Sequence, residues 1–568
     1  MKGTAPLSEA SCDEKSVLEQ ASGGSIAFPE NVRMTRVVLA GALGTCFEAY
    51  DLFLVGTMAA VISRQFFSGV NPTAGLIFTL LGFAAGYLVR PLGAIFFGRI
   101  ADQFGRKRVF VASVALMGIA TALIGVLPTY GTAGLLAPLA FLALRLIQGF
   151  ALGGEAGGAM VYVVEHSPPN RRGLHTSWVQ LAPMVGLLLS QIVLSVTRGT
   201  LGESAFLQWA WRVPFLVSLV LLALSIWIRS RMGESPEFER LRDDGAVSRA
   251  PLREALTGRR NITGLLCALL GFGPGAAGAL YAAFFYTPFF LTQVLHVNSD
   301  TTNWLSASAL VAAMPLFILF GALSDRIGRK TVICVGFVLV VVLYPSVFRG
   351  LTHFANPALA VATSRAPVVV IADPKECSTQ FNLLGTAKFV SSCDVAKAAL
   401  VRMGVSYENV AAPGGTSAMI RIGEVELPAY DAKTGVASQR ETEFSASLRR
   451  ALAAAGYPSE ADSSQVNLGV VWLLLFVLGV LAAMTYGPLA AAMSELFPTG
   501  VRFTALSLSY HIGFGWTGGL LPAAAFAMAT ASGNIYAGLA YPRVAAIVGF
   551  IFIVAFSIVA TGRKTGKE

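Results

Sequence analysis

Five ionisable side chains stand inside stretches of sequence that are otherwise almost entirely apolar: Glu48, Asp51, Arg90, Arg145 and Glu155. A charge at the centre of an apolar layer costs about 3 kcal/mol or more, so such residues are expected to be functional or paired. Glu48 and Asp51 lie three residues apart and therefore share one face of a helix. Two carboxylates this close in apolar surroundings are suited to taking up and releasing protons. We predict that they are the leading proton carriers.

The chemistry of these five residues leaves alternatives open. Arg90 either pairs with the carboxylates or clamps a substrate anion. A static Asp51–Arg90 or Glu48–Arg145 pair would instead only hold two helices together. Glu155, within "GGEAGG", is either a further proton carrier or a structural hydrogen-bond acceptor.

The second half of the chain offers aromatic groups in place of charges. Tyr486 and Tyr510 lie deep in apolar runs and are predicted to face a cavity. Tyrosines and tryptophans near the ends of such runs more often anchor at the membrane interface. His511 either titrates or is a satisfied core group.

The composition places these residues in a membrane. The chain has 568 residues, of which 55% are hydrophobic and 13% charged, and its mean hydropathy is +0.65. An average soluble domain carries roughly 25% charged residues, so this chain has too little polar surface for a soluble body of its size. The formal net charge of +10 is divided among short clusters between apolar runs. Because these clusters form no basic face with interleaved aromatics, we expect no nucleic-acid binding.

The apolar runs predict the architecture. Runs of the roughly 20 residues that span a bilayer as a helix occur near 35–63, 74–100, 108–128, 134–163, 174–197, 211–230, 263–292, 304–323, 331–348, 467–492, 504–530 and 542–561. This pattern predicts an all-α membrane protein with twelve transmembrane helices, six on each side of a charged stretch. The polar start of the chain lacks the features of a secretory leader. Lys and Arg cluster in alternate loops, which places both termini in the cytoplasm.

A long polar segment interrupts this plan between helices nine and ten. Residues 353–465 carry mixed charge and are expected outside the cytoplasm. In this segment "APVVVIAD" predicts a strand, "SCDVAKAALVRMGV" a helix, "SYENVAAPGG" a strand and turn, "SAMIRIGEVELPAY" a strand pair and "QRETEFSASLRRALAAAGY" an amphipathic helix. We predict a small extracytoplasmic α/β insertion. Cys377 and Cys393 are candidates for a disulfide there, because the space is oxidising.

Two loops repeat one motif at corresponding places in the two halves. "GRIADQFGRKRV" follows helix two and "GALSDRIGRKTV" follows helix eight, and a Glu with a nearby Arg ends helices four and ten. The repeat predicts two pseudo-symmetric six-helix bundles. The glycines favour tight turns, the aspartates can cap a helix N-terminus or pair with an arginine, and the basic residues anchor at the inner surface or only set orientation. The loop motif, for which the resemblance described next implies a gating role, comprises Gly98, Asp102, Gly105, Arg106, Lys107, Asp325, Gly328, Arg329 and Lys330.

The sequence resembles the major facilitator superfamily and, within it, the metabolite:proton symporter family, most closely the shikimate and organic-acid branch. The resemblance rests on "FEAYDLFLVGTMAA", "GYLVRPLGAIFFGRIADQFGRKR", "RLIQGFALGGEAGGAMVYVVEHSPPNRRG", "WRVPFL", "GESPEF" and "SELFPTGVRFTALS". It covers nearly the whole chain except the N-terminal tail and residues 353–465. The sequence departs from the family pattern at Ala49 and Leu52, where the family mostly has Trp and Phe.

The resemblance implies alternating access, in which two bundles rock around a midplane site and proton influx drives uptake of a small organic acid or related metabolite. In the family, the loop motif latches the cytoplasmic side of the outward-open state. One alternative is uptake of a zwitterionic osmolyte such as proline or betaine. An alternative of another class is a transporter-like sensor that uses residues 353–465.

We further expect a monomer in the bacterial inner membrane, surrounded by lipid, with no cofactor and no bound metal. The sequence has no nucleophile motif or metal-ligand spacing that favours an enzyme, and no "GxxxxGK[ST]" that favours a nucleotide-driven pump. The first half is expected to comprise an N-terminal tail (1–34), the first bundle (35–230) and a cytoplasmic linker (231–262). The second half is expected to comprise three helices of the second bundle (263–352), the insertion (353–465), the remaining helices (466–562) and a C-terminal tail (563–568).

Overall fold

The computed structural model describes residues 34–68, 72–231, 233–377, 390–432 and 437–565. Nearly all of the expected N-terminal tail and the last three residues of the chain lie outside the described residues. Long helices in the first half are α1 Met34–Thr57, α2 Pro72–Phe104, α3 Arg106–Val126, α4 Leu136–His166, α5 Arg172–Leu201 and α6 Val213–Ser230. Shorter helices are Ala59–Phe66, Tyr130–Ala133 and Glu203–Gln208.

The second half begins after two short helices in the charged stretch, Pro236–Asp243 and Pro251–Ala255. Its long helices are α7 Arg259–Val294, α8 Ser299–Ile327, α9 Arg329–Ala355, α10 Leu468–Tyr486, α11 at 502–532 and α12 Ala540–Thr565. Two of these helices, α7 and α11, contain π-helical turns, among them Ala282–Tyr286 and Tyr510–Trp516. Such turns are rare and often occur at functional sites.

Helix packing divides the chain into two bundles that face each other. In the first half α2 packs on α4 and α1 on α5, and in the second half α8 packs on α10 and α7 on α12. The halves meet where α5 packs on α8 and α2 packs on α11. A site between the halves can therefore take side chains from both.

The helices identify a multi-pass membrane protein. Within the described residues, ten helices are long and apolar enough to cross a bilayer. They include every long helix above except α2 and α11. The count of twelve spans therefore stays a prediction.

The α/β segment contains each strand and helix that the sequence predicts. The strands are β1 Val368–Ala372, β2 Tyr407–Ala411, β3 Met419–Ile422 and β4 Val425–Pro428, and the helices are Ser392–Arg402 and Ala437–Ala454. The strand order is β2-β1-β3-β4, with β1 parallel to β2 and the other pairs antiparallel. A further helix, Pro357–Arg365, precedes β1, and a disulfide joins Cys377 to Cys393.

This α/β segment is docked on the second bundle. The Tyr407 N–H donates to the Gly533 carbonyl at 2.7 Å, just beyond the end of α11. The Ala461 N–H donates to the carbonyl of His296, which follows α7, at 3.0 Å. Gly404 (φ +66°) approaches the Val294 carbonyl so closely that a Cβ would lie 1.9 Å from its oxygen. The segment is thus held against the ends of α7 and α11.

Candidate functional site

Close helix crossing positions two arginines in the first bundle. A Cβ added at Gly149 of α4 would lie 2.2 Å from the Gly86 carbonyl oxygen of α2, and one added at Gly153 would lie 2.2 Å from the Arg90 carbonyl oxygen. Only glycine permits this approach, which is the usual role of small residues where membrane helices cross. The crossing brings Arg90 and Arg145 into electrostatic contact.

Arg90 is buried, with 6% of its surface exposed. Its guanidinium lies 3.6 Å above the centre of the Tyr87 ring. The Tyr87 hydroxyl lies 3.2 Å from the hydroxyl of Tyr281 in α7, so this group reaches the second bundle. The Nε and Nη2 atoms of Arg90 have no hydrogen-bond partner among the described residues. These two atoms form one edge of the guanidinium, which can bind a carboxylate through two hydrogen bonds.

Arg145 belongs to a chain of polar side chains inside the first bundle. Its Nη1 donates to Gln148 Oε1 at 2.6 Å, and Gln148 Nε2 donates to the Thr121 hydroxyl at 2.7 Å. Thr121 of α3 lies beside the carboxylate of Asp51. No ion pair within 4.0 Å joins Asp51 to Arg90, both of which lie in the described part of the chain.

Glu48 lies on the other side of this charged interior. The charged groups around it are Glu155, Arg229, Arg90 and Asp51. Its Oε2 has no hydrogen-bond partner among the described residues. The arginines that act on Glu48 are thus Arg229 and Arg90 rather than Arg145.

Glu155 forms a buried ion pair with Arg229 of α6. The Arg229 guanidinium also donates to the Phe110 carbonyl at 3.1 Å and stacks over the Phe110 ring. It fills the space beside Gly44, where an added Cβ would lie 2.0 Å from Arg229 Nη2. Glu155 is therefore neutralised by a partner that the sequence analysis did not include.

The second bundle faces these charges with an aromatic wall. The hydroxyls of Tyr486 and Tyr510 lie 3.0 Å apart. The Phe514 ring stacks on both tyrosine rings, with centroid distances of 5.1 Å and 4.8 Å, and Tyr281 packs edge-on against it. His511 lies beside Arg90 and the backbone of Leu152 and Gly153.

A cavity of about 60 Å³ separates the two sets of groups. Of the predicted site residues, Glu48, Arg90, Tyr486, Tyr510 and His511 line it. In the described chain Asp51, Arg145 and Glu155 stand behind this lining, within the first bundle. Since ligand pockets usually measure roughly 300–1,000 Å³, the helices are drawn closely around this site.

A larger cavity of about 330 Å³ lies between the first cavity and the end of the bundles that carries the α/β segment. Its polar lining is uncharged and includes Gln191, Asn303 and Ser306. Phe53 and Phe285 line both cavities, and their ring centroids are 5.2 Å apart. These two rings separate the cavities.

The opposite end, which we call the basic end (Arg106, Arg172, Arg329 and Arg502), is closed by two equivalent contacts. The Thr504 N–H and hydroxyl both donate to Asp102 Oδ2, at 2.9 Å and 2.7 Å. The Gly173 and Leu174 N–H groups each donate at 2.8 Å to the two oxygens of Asp325. In both cases the aspartate of one half caps the first turn of a helix in the other half. A carboxylate at this position is favoured by the helix dipole.

Charged side chains extend each contact. Arg106 lies 3.2 Å from Asp102 and 3.4 Å from Glu165, and Arg502 of the second half lies 3.3 Å from Glu165 and 2.6 Å from Glu237. In the symmetric place Arg329 lies 3.0 Å from Asp325 and 3.1 Å from Glu495.

The motif glycines have two different roles. Gly105 (φ +107°) and Gly328 (φ +95°) form the turns that begin α3 and α9. The expected role of Gly98 in the turn is wrong: it lies inside α2, and an added Cβ would lie 2.9 Å from Thr504 Cα. Gly98 therefore allows the halves to approach. Of the motif lysines, Lys330 donates to the Ser557 hydroxyl, and the Lys107 N–H donates to Glu234.

Comparison with known proteins identifies the family. Residues 41–363 match the family model described as Major Facilitator Superfamily. The chain belongs to this superfamily. Its members are transporters rather than enzymes. The positions at which the sequence departs from the symporter pattern, Ala49 and Leu52, both line the central cavity.

Curated relatives within the superfamily include transporters of different solutes. The shikimate transporter of Escherichia coli (strain K12) is 38% identical over 314 residues, which cover 54% of this chain and 69% of that protein. The proline/betaine transporter of Salmonella typhimurium is 30% identical, over 55% of this chain and 64% of that protein. The inner membrane metabolite transport protein YhjE of Escherichia coli (strain K12) is 32% identical, over 59% of this chain and 76% of that protein.

Solved structures of the superfamily share the fold. The proton:xylose symporter XylE superposes with a TM-score of 0.57 at 14% identity, covering 92% of this chain and 95% of that one. FucP in the outward conformation superposes with a TM-score of 0.50 at 13% identity, covering 92% and 99%.

Proposed function

We propose that this major facilitator transporter is a proton-coupled symporter that imports a small organic acid or related metabolite. The observation that carries the proposal is the central cavity, where Glu48 and Arg90 of the first bundle face Tyr486 and Tyr510 of the second. A carboxylate, an arginine edge and hydroxyls in one enclosed space suit a proton and an oxygen-rich anion. The similarity to the shikimate transporter supports this substrate class.

The proposed mechanism is alternating access, in which the bundles rock around the central site. The closed basic end and the 330 Å³ cavity on the opposite side agree with a state that loads from that opposite side. Phe53 and Phe285 then control access to the centre. Breaking the Asp102 and Asp325 caps opens the basic end for release.

The proposed setting is the bacterial inner membrane, with twelve spans, both termini and the basic end in the cytoplasm, and the segment at 353–465 outside. The Lys and Arg bias of the short loops and the name of the YhjE relative support it. The domain boundaries given by the sequence are retained as a proposal with three adjustments: α7 begins at Arg259, α9 continues to Ala355 and α12 continues to Thr565. We propose a monomer in contact with lipid.

Glu48 is the leading candidate for the proton carrier in this proposal, because it lines the cavity and its Oε2 has no hydrogen-bond partner among the described residues. Asp51 is the second candidate. Glu155 fits a structural role, since Arg229 is its partner.

Two other functions have an observation in their favour. The aromatic wall of Tyr281, Tyr510 and Phe514 can hold a quaternary ammonium, which suits a betaine. The docking of the α/β segment on the ends of α7 and α11 suits a sensor that signals through the bundles. Deletion of residues 353–465 distinguishes a sensor from a transporter. If the protein is a sensor, the deletion abolishes regulation while uptake persists.

The test of proton coupling uses purified protein in liposomes with an imposed pH gradient and radiolabelled shikimate. Glu48→Gln is expected to abolish accumulation of substrate driven by the pH gradient. Exchange of labelled for unlabelled substrate across the liposome membrane should persist. Asp51→Asn is compared in parallel, and Asp243→Asn, an exposed residue, is the control. Unchanged gradient-driven uptake in both Glu48→Gln and Asp51→Asn, with folded protein, contradicts the proposal.

A further inference from the structure

The charges of the central membrane region balance. The buried carboxylates there are Glu48, Asp51 and Glu155, and the buried arginines are Arg90, Arg145 and Arg229. Among the described residues the other buried arginines, Arg106 and Arg502, belong to the basic end, where Asp102, Glu165 and Glu237 face them. The empty site is therefore neutral when all six groups are ionised. A net buried charge in an apolar medium is costly, so the balance favours this empty state.

His511 does not alter this count. It is buried at 1% exposure, and its charged neighbour is Arg90. A second cation beside Arg90 would add repulsion to the cost of burial. The imidazole is therefore counted as neutral, as are the hydroxyls of Tyr281, Tyr486 and Tyr510.

Arg90 provides the place for a negative charge. Arg229 pairs with Glu155 and Arg145 donates to Gln148. Arg90 lines the cavity, and its Nε and Nη2 edge has no hydrogen-bond partner among the described residues. A carboxylate bound to this edge introduces one negative charge. The site is then neutral again only if one positive charge enters with it.

Glu48 provides the place for that positive charge. The groups that face it are Glu155, Asp51, Arg90 and Arg229 from the first bundle, and Tyr486 and Tyr510 from the second. A substrate anion on Arg90 withdraws the attraction that Arg90 exerts on the ionised Glu48. Substrate and proton therefore favour each other's binding: the carboxylate of Glu48 takes up a proton and becomes a neutral acid.

We propose that the site carries one monocarboxylate together with one proton, so that each transport cycle moves no net charge. This inference rests on the proposed function and deepens it by naming the charge of the substrate and the stoichiometry. A zwitterion differs in one measurable respect. It brings no net charge, so its transport with a proton would load the site with one positive charge and respond to the membrane potential.

The experiment uses purified protein in liposomes with valinomycin, which allows the pH gradient and the membrane potential to be set separately. The probes are the monocarboxylates shikimate and quinate, whose several hydroxyls slow passive diffusion of the neutral acid through lipid, and the zwitterions glycine betaine and proline. For at least one monocarboxylate we expect at least tenfold accumulation with an alkaline interior and the potential clamped at zero. A negative interior without a pH gradient should change uptake less than twofold.

Three results would overturn the inference: accumulation of a monocarboxylate by the potential alone, accumulation of a zwitterion only, or no accumulation of any monocarboxylate. If a zwitterion accumulates in response to both the pH gradient and the membrane potential, the proposed substrate class is wrong but proton symport is retained. If substrate exchange is intact but accumulation depends on neither gradient, the proposed function itself is wrong.

Arg90 variants test the anion site. Arg90→Gln should weaken monocarboxylate binding at least 100-fold, measured by thermal shift at increasing ligand concentration, and Arg90→Lys about tenfold, because lysine lacks the two-donor edge. Arg90→Gln also leaves the empty site with one excess negative charge. We therefore expect the variant to hold one proton before substrate is added, so that a pH dye no longer detects proton uptake when substrate binds. If Arg90 were merely structural, proton uptake per bound substrate would be the same as in the unmodified protein. Arg198→Gln, at an exposed position, is the matched control.

Discussion

Arg229 of α6 and Glu155 of α4 form an ion pair in the interior of the first bundle, where their side chains are 2% and 0% exposed. The pair joins α4 to α6 beside Gly44 of α1, whose missing Cβ makes room for the guanidinium. Arg229 lies outside the cavity lining, yet it determines how much negative charge faces Glu48. The pair thus stabilises the bundle and, in the proposed mechanism, tunes the negative charge that surrounds the proton carrier Glu48.

The first prediction concerns this pair. Arg229→Gln should destabilise the protein by about 3–5 kcal/mol, because it leaves Glu155 as an unpaired buried charge. Glu155→Gln combined with Arg229→Gln should restore much of this loss, since no charge is then left alone. Thermal unfolding in detergent measures both, and Arg231→Gln, exposed at the end of the same helix, is the matched control. Equal stability of the single and double variants would show that the pair does not act as a unit.

The second prediction concerns closure of the basic end. Asp102→Ala removes an acceptor that receives two hydrogen bonds from Thr504, and hydrogen bonds to a charged group are worth about 1.5–3 kcal/mol. The open state should therefore gain population by at least tenfold. The reporter is the alkylation rate of Ser177→Cys at the interface of α5 and α8, in a chain whose free cysteines are replaced by serine.

Asp325→Ala should raise the same alkylation rate, because its caps on Gly173 and Leu174 are equivalent. Asp243→Ala, which is exposed and lies in the charged stretch, is the control. If the rate stays unchanged in both cap variants, the caps do not hold the basic end closed.

Much of the fold followed from patterns that act locally. Apolar runs gave the helices to within a few residues at most ends, because a spanning segment must be both apolar and helical. The alternation in "SAMIRIGEVELPAY" gave β3 and β4, and the apolar "APVVVIAD" gave β1. The π-helical turns were not predictable, because neither apolar runs nor helical spacing distinguishes a π turn from an α-helical one.

The site was predictable only in part. Glu48 and Arg90 stood out because they are charges inside apolar runs. Arg229 was missed because it lies near the end of α6 beside Arg231, where arginines usually mark orientation, and only the fold shows its side chain turned inward. A signal did exist in "GALGTCFE", where Gly44 precedes Glu48 by about one helical turn and leaves space for a large partner.

The third prediction concerns the rings between the two cavities. Phe53→Ala or Phe285→Ala removes an aromatic pair worth about 0.5–1.5 kcal/mol beyond its buried area. Access from the larger cavity to the central one should rise up to about tenfold, measured as the rate at which a membrane-impermeant thiosulfonate converts the thiol of Thr45→Cys to a mixed disulfide, with release of sulfinate. Phe284→Ala is the matched control, because Phe284 lines only the larger cavity. An equal rise in all three variants would mean that the pair forms no barrier.

The fourth prediction concerns the α/β segment and its hold on the second bundle. The Cys377–Cys393 disulfide has a sequence separation of 16 residues, and closing a loop of about this length stabilises a fold by about 3 kcal/mol. Replacing both cysteines by serine, or reducing the disulfide, should therefore loosen the helix Ser392–Arg402 and the turn at Gly404 that follows it. Since the Tyr407 N–H is bonded to the Gly533 carbonyl, amide exchange should quicken at 404–411 and at 532–536 together. Cys334→Ser, a free cysteine in α9, is the control. Faster exchange at 404–411 alone would show that the end of α11 keeps its order without the segment, because the Gly533 N–H is bonded within the helix to the Ala529 carbonyl.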